Sequence, residues 1–449
     1  MNRFISILAV VLTVQISFAQ MVSIAKPERA AHTNSLYRSV LENYRSADDG
    51  ISLAEIVKRV VVSSGEIAVA RLEAEKAEAR LIQAQQRPNP TLSVEQGSGG
   101  IVGSSGDREF SLGLSVPIEA FGQRGRRIDA ARADVALKRA EVAAKERAVT
   151  AQILTAYLEA LVSLRELEVL EEVLDLDEET IRSVQIRVNE GETAPLELNL
   201  LQAEIEKIRA RRSLTEGKMR AAISRLKFFA AVPEHEPMKL TEDIATAEIR
   251  KLPKDAAAAV EIALTERPEI RLLKLEEELA EAELRSAAAR SKPDVSANAR
   301  YVQGRSSLDD PRGPFVQKDR SLTFGVSIGI PIFDRGQGAR AEAAISIRQA
   351  QERRLFAERV VRSEIAASFH RIEAADRALA TFKIGVLPRS RENVETVRKV
   401  YEIGALKITD LIAEQRKLLE ANNDLIEILT ERYRAQADLF LALGLPMEK

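Results

Sequence analysis

Three histidines, His32, His235 and His370, are the side chains best suited to acid–base or ligand chemistry, and they stand far apart in the chain. No two stand at ligand spacing, and the five methionines are equally dispersed, so no metal site is called for. Cysteine is absent, which excludes a disulfide, a thiolate nucleophile, cysteine-bound zinc and an S-acylated anchor. With no convergent acid, base and nucleophile, the chain is expected not to be an enzyme and to need no cofactor.

The glycines, prolines and arginines are placed more informatively. The stretch "SLGLSVPIEAFGQRGR", Ser111 to Arg126, returns as "GVSIGIPIFDRGQGAR", Gly325 to Arg340. Pro117 and Pro331 are 214 residues apart, as are Gly122 and Gly336, Gln123 and Gln337, and Arg126 and Arg340. Gly191 and Gly404, and Pro233 and Pro446, are 213 apart. Register held within one residue over more than a hundred positions marks a duplication. Pro88 and Pro293 differ by only 205, so the second copy carries about nine extra residues, placed in a surface loop.

The elements follow from period and breakers. A capping box, Ser52 with Glu55, opens a helix that runs to Arg87, where "RPNP" stops it. "TLSVEQ" and "FSLGLSVPI" alternate apolar with small residues and read as two strands around a glycine-rich loop. From Gln123 to Asn189 there is no proline and no glycine after Gly125, which predicts one helix about 100 Å long. Gly191 and Pro195 end it, and a helix returns from Leu196 to Phe229. The second copy repeats the plan: a helix ending at Pro293, strands "DVSANARYVQG" and "SLTFGVSIGI", a helix over Gly338–Ile403, a turn at Gly404, and a return over Thr409–Leu443. The fold class is mainly α with a small β part, a duplicated helix–β-hairpin–long helix–helix repeat. The expected organisation is a signal peptide 1–19, a loose leader 20–50, a first repeat 51–233, a connector 234–256 and a second repeat 257–446.

The signal peptide rests on Arg3, the apolar run Phe4–Ile16, and small residues at Ser17 and Ala19 that suit cleavage after Ala19. Later segments are too polar to span a bilayer as helices. A formal charge of −2 with interspersed signs leaves no footprint for nucleic acid. Charged residues make up 30% and tryptophan is absent, as suits long helices exposing much of their surface.

Strands of nine to eleven residues are long enough to cross a bilayer when tilted. Four of them cannot close a barrel, and an open edge in lipid is prohibitive, so the chain must associate. Three copies would supply twelve strands. The alternatives are a soluble sheet packed on helices, and a periplasmic coiled-coil scaffold with no pore, which leaves the duplicated hairpins unexplained.

The junctions "SVPI…GQRGR" and "GIPIFDRGQGAR", with "RPNP", "TERPEI" and "YEIGALKITDLIAEQ", resemble the TolC-like outer-membrane efflux channels, within them the metal- and cation-efflux branch served by RND-type pumps. The likeness spans Ile51 to Pro446. It implies a homotrimer with a twelve-stranded β-barrel in outer-membrane lipid, continued by a helical barrel through the periplasm. It also implies a periplasmic adaptor (membrane fusion protein) and an inner-membrane pump as partners, with metal cations or drugs as cargo. By the same resemblance Gly191, Thr193, Gly404 and Leu406 lie at adaptor-binding tips, and Asp410, Glu197 and Tyr401 form a gate. Val188 takes the tyrosine's place in the first copy. Leu406 stands where some members carry an arginine latch, and Ala413 where a second aspartate can occur. Pro117, Gly122, Pro331 and Gly336 would join the two barrels, the prolines stopping the sheet ladder and the nearby arginines meeting the membrane interface. Many members of the branch carry a lipidated N-terminal cysteine, which this chain lacks.

Overall fold

The computed structural model describes residues 42–46, 49–99, 106–310 and 313–446; the expected signal peptide and the leader up to residue 41 lie outside them. Helices α1 (Leu53–Ser63) and α2 (Gly65–Gln85) lead into strands β1 (Thr91–Ser98) and β2 (Arg108–Ile118). The long helix α3 (Gln123–Asn189) and its return α4 (Pro195–Ala230) complete the first copy. The second copy holds α5 (Ala256–Glu266), α6 (Pro268–Arg290), β3 (Asp294–Asp310), β4 (Gly313–Gly329), α7 (Gln337–Thr381), α8 (Leu387–Glu402) and α9 (Ile408–Leu443).

Three helices expected to be continuous are broken. The first divides at Ser64, whose extended backbone separates α1 from α2. Its counterpart divides at Arg267, because the residue before Pro268 is driven out of the helical region. The helix expected over Gly338–Ile403 contains a π-helical turn, Phe382–Val386, just ahead of Pro388. Proline has no N–H to donate and its ring crowds the preceding turn, and the wider turn accommodates it.

The strands form one antiparallel sheet in the order β1-β2-β3-β4. Both strands of the second β-hairpin run to 17 residues, so much of the stretch between the two expected strands, around "DDPRGP", is ribbon. Pro117 does not stop the ladder. It lies inside β2 opposite Ser296, beyond Ser115, where pairing with β1 ends and a missing N–H is tolerated. Pro331 follows the end of β4.

Paired residues share a face, and the register sorts the sheet cleanly. Leu92, Leu114, Ala299 and Phe324 stand side by side, and so do Val94, Leu112, Tyr301 and Leu322. Val116 with Val326, and Ile118 with Ile328, extend this apolar face toward the helices. The large apolar residues of β1, β2 and β4 on it are exposed. The opposite face carries Ser93, Gly113, Arg300 and Thr323, then Ser115, Asn298 and Gly325. There Arg300 donates to Ser111 Oγ at 3.3 Å and pairs with Glu95.

The largest core lies where α1, α3, α4, α9 and the connector meet, around Ile56, Ile153, Tyr157, Leu161, Leu226, Leu240 and Phe440. Glu242 of the connector accepts from the Tyr157 hydroxyl and from the Leu53 N–H. Burial raises its carboxyl above the usual range. The described end of the leader is held there too: Arg45 pairs with Glu168 at 2.7 Å and Asp243 at 3.0 Å.

Candidate functional site

The sheet occupies one end of the helical body, and the turns at Gly191 and Gly404 mark the far ends of α3 and α8. Both turns have the same geometry. Gly191 and Gly404 each adopt φ +78°, which a side chain would strain. Glu192 N donates to Arg187 O, and Ala405 N to Val400 O, so the last carbonyls of both helices are satisfied alike. Thr193 and Leu406, just past each glycine, are half-buried.

The structure brings Tyr401 and Glu197 together. Tyr401 is 3% exposed, and its hydroxyl donates to Glu197 Oε2 at 3.2 Å, linking the helical hairpin α8–α9 to the first turn of α4 in the helical hairpin α3–α4. Burial, with the Glu197 charge next, pushes the phenol up to about 12. Below that pH the phenol keeps its proton and the bond stands.

Asp410 is not in this contact. Its Oδ2 accepts from Lys407 N at 3.1 Å, capping the start of α9. Glu197 and Asp410 both hold the third position of a returning helix. One is engaged by the other hairpin, while the other closes its own helix and is exposed. Val188, which replaces the tyrosine in the first copy, packs against the core that contains Tyr401.

Two residues here were missed by sequence reasoning. Arg187 lies 5.2 Å above the Tyr401 ring and donates to the Tyr401 carbonyl at 3.1 Å. It therefore holds the same tyrosine from a second side. Asp177, on α3, is 1% exposed and accepts from Gln415 Nε2 of α9 at 2.7 Å. Burial raises its carboxyl to about 7, the Gln415 bond opposes the rise, and the Glu204 charge adds to it. Val173 and Ile181, one turn to either side, belong to the core, but the sequence carries no single apolar stripe that marks Asp177 as inside.

At the sheet end, Gly122 and Gly336 cap α3 and α7 with φ +77° and +65°. Two arginines of the first junction are engaged within the chain. Arg124 donates twice to Gln85 O, at 3.0 and 2.7 Å, while Arg127 donates to Ala84 O at 3.1 Å and Gln86 O at 2.9 Å and pairs with Glu119. They satisfy the unpaired carbonyls at the end of α2, where the helix dipole also favours cations.

His235 and His370 are exposed and separate, and the described residues contain no group of three acids, histidines or cysteines able to hold a metal ion. Among them no helix is long and apolar enough to cross a membrane. Large apolar side chains are exposed close to both turns, Ile403 at 79% and Leu196 at 65%.

A profile of the family described as outer membrane efflux protein matches residues 57–231 and 259–445. The chain is 23% identical over 409 residues to the cobalt-zinc-cadmium resistance protein CzcC of Cupriavidus metallidurans, covering 89% of this chain and 91% of that protein. It is 22% identical over 406 residues to the cation efflux system protein CusC of Escherichia coli, covering 87% and 85%. The crystal structure of CusC superposes with a TM-score of 0.72 at 20% identity, covering 87% of this chain and 92% of that one. The outer membrane protein VceC of Vibrio cholerae gives 0.70 at 16% identity, covering 88% and 97%.

Proposed function

The chain belongs to the outer membrane efflux protein family, and from that premise we propose that it is the exit duct of a tripartite efflux system. Three copies would join β4 of one to β1 of the next, giving twelve strands in the outer membrane and a helical tube below. The observation that carries this reading is the sheet: one face is apolar and exposed, and neither outer edge has a partner among the described residues. An unpaired edge costs several kcal/mol per backbone group in lipid, so closure by neighbouring copies is the stable solution. A pore-free coiled-coil scaffold has no use for such a face.

The duct is passive, carrying cargo handed over by an adaptor and an inner-membrane pump of the RND type. CusC is named for cation efflux and CzcC for cobalt, zinc and cadmium resistance, which supports metal cations as cargo; drugs are the other class. The turns at Gly191 and Gly404, with Thr193 and Leu406, form the adaptor-facing tips, where exposed Ile403 and Leu196 offer apolar contact. Tyr401 and Glu197 hold the closed tip, and Asp410 contributes to a ring of carboxylates around the axis. Pro117, Gly122, Pro331 and Gly336 mark the joint between the two barrels.

The test is to express the full chain and fractionate the envelope. Heat- or detergent-resistant trimers in the outer membrane that conduct ions in planar bilayers are the expected result. A monomer released with the soluble periplasm would sink the reading.

A further inference from the structure

The sheet's outward face changes character at the end far from the helices. Below, its rows are apolar, down to Val94–Leu112–Tyr301–Leu322. One row further out, Phe110 and Gln303 stand beside Arg320, and in the next row Arg108, Arg305 and Lys318 are direct neighbours on three adjacent strands. All four cations are exposed, and none makes an ion pair or side-chain hydrogen bond with another described residue.

The nearby acids do not relieve them. Glu109 follows Arg108 and Asp319 separates Lys318 from Arg320, so in the alternation of the strands both point to the opposite face, on which Glu95 also lies. Like charges directly opposite one another across strands are destabilising. Three in a row, with their counter-charges turned away, call for an anion brought from outside. The anion must lie at the rim of an apolar band, within reach of guanidinium groups that suit the oxygens of a phosphate.

We propose that Arg108, Arg305, Lys318 and Arg320 form a binding site for the phosphate groups of an outer-leaflet lipid whose acyl chains lie along the apolar rows beneath. The site rests on the reading of the sheet as part of an outer-membrane barrel. The order of the rows argues for a lipid and against a free anion, because the cations and the apolar band share one continuous face. A lipid held there would also cover the outer ends of β2, β3 and β4, the edge strand of each copy included.

Full-length trimer is reconstituted into phosphatidylcholine vesicles with or without lipid A, and bound lipid is read by native mass spectrometry after flotation. The expected result is that wild type floats with both vesicle types and retains lipid A. The variant carrying Arg108→Gln, Arg305→Gln, Lys318→Gln and Arg320→Gln should float equally well. Its retention should fall by roughly fivefold per cation removed, the worth of one basic side chain at an anionic surface. Arg108→Lys with Arg305→Lys should retain most of the lipid, dephosphorylated lipid A should bind weakly, and inorganic phosphate should fail to compete. Equal retention by wild type and the glutamine variant overturns the site while leaving the barrel intact, and so does full displacement by inorganic phosphate. Failure of wild type to float with either vesicle overturns the barrel and the site together.

Discussion

The hydroxyl of Tyr401 donates to Glu197 Oε2 at 3.2 Å, across 204 residues of sequence. Tyr401 closes the outward helix of the second copy, and Glu197 opens the returning helix of the first. The bond therefore ties together the two hairpins that the duplication produced. Arg187 secures it from the α3 side, over the ring and on the carbonyl.

Removing only that hydroxyl should loosen the tip. Tyr401→Phe keeps the buried ring and deletes a hydrogen bond to a charged acceptor, a loss of about 1.5–3 kcal/mol. If the contact holds the duct shut, the open fraction rises by an order of magnitude or more. Single-channel recordings should show higher open probability for Tyr401→Phe. Recordings indistinguishable from wild type would remove this pair from the gate.

Asp177 predicts a pH dependence whose sign is fixed. Burial raises its folded-state carboxyl from 3.8 to about 7. Folding then holds the proton that the unfolded chain releases, so the contribution is most favourable below the unfolded value and is lost as pH rises through about 7. Above that pH an ionised carboxyl would be buried beside Glu204. Asp177→Asn keeps an acceptor for Gln415 and drops the charge. Thermal unfolding of the variant should be flatter than wild type between pH 5 and 8, by the linkage argument, and its melting temperature higher at the alkaline end. Parallel pH profiles would show that Asp177 is not the titrating group.

Much of this architecture could be read from the sequence because its breakers are local. Gly191 and Gly404 end helices by their own φ, and Ser52 caps α1 with an oxygen three residues from its donor, so spacing alone carries the signal. The breaks at Arg267 and in the turn Phe382–Val386 were less legible, although Pro268 and Pro388 stand beside them, because proline can open a helix, end it or merely bend it. The partners of Arg124 and Arg127 were illegible for a different reason: they lie 39 to 43 residues away, on the end of another helix. Asp177 and Arg187 became visible only once α3 was set against α8 and α9. In long helices that are covered on different sides along their length, no single apolar stripe says which acid is inside.

Those arginines give a stability prediction. Arg124→Ala with Arg127→Ala leaves the Ala84, Gln85 and Gln86 carbonyls without their side-chain donors. Each exposed or half-buried bond contributes about 0.5–1.5 kcal/mol, so the loss of four should lower stability by about 2–6 kcal/mol. Because the loss falls where α2 enters β1, proteolysis near Arg87 should accelerate more than cleavage at the tips. Uniform acceleration would indicate a global effect instead.

The glycines at the two ends should separate assembly from gating. A β-branched residue at φ +77° or +65° is strained by about 1–3 kcal/mol, so Gly122→Val with Gly336→Val forces the chain to leave the sheet at another angle. In the proposed trimer a misdirected sheet would not meet its neighbours, and the yield of trimers on native gels should fall. Gly191→Val with Gly404→Val carries similar strain at the other end and should leave trimer yield higher while impairing drug or metal resistance. Equal trimer yields from the two double variants would argue against the junction as the critical joint.

Asp410 separates a helix cap from a pore charge. Its carboxylate accepts from Lys407 N, so Asp410→Ala removes both an acceptor and a charge. That hydrogen bond alone is worth about 0.5–1.5 kcal/mol. Asp410→Asn retains an acceptor in the same place and removes only the charge. Three Asp410 and three Glu197 around the trimer axis would attract cations, and both variants should then lose cation preference in reversal-potential measurements under a salt gradient. Only the alanine variant should also melt earlier. Should both variants keep the wild-type reversal potential while the alanine variant alone is destabilised, Asp410 is a cap and the selectivity must arise elsewhere, with Glu197 the first residue to examine.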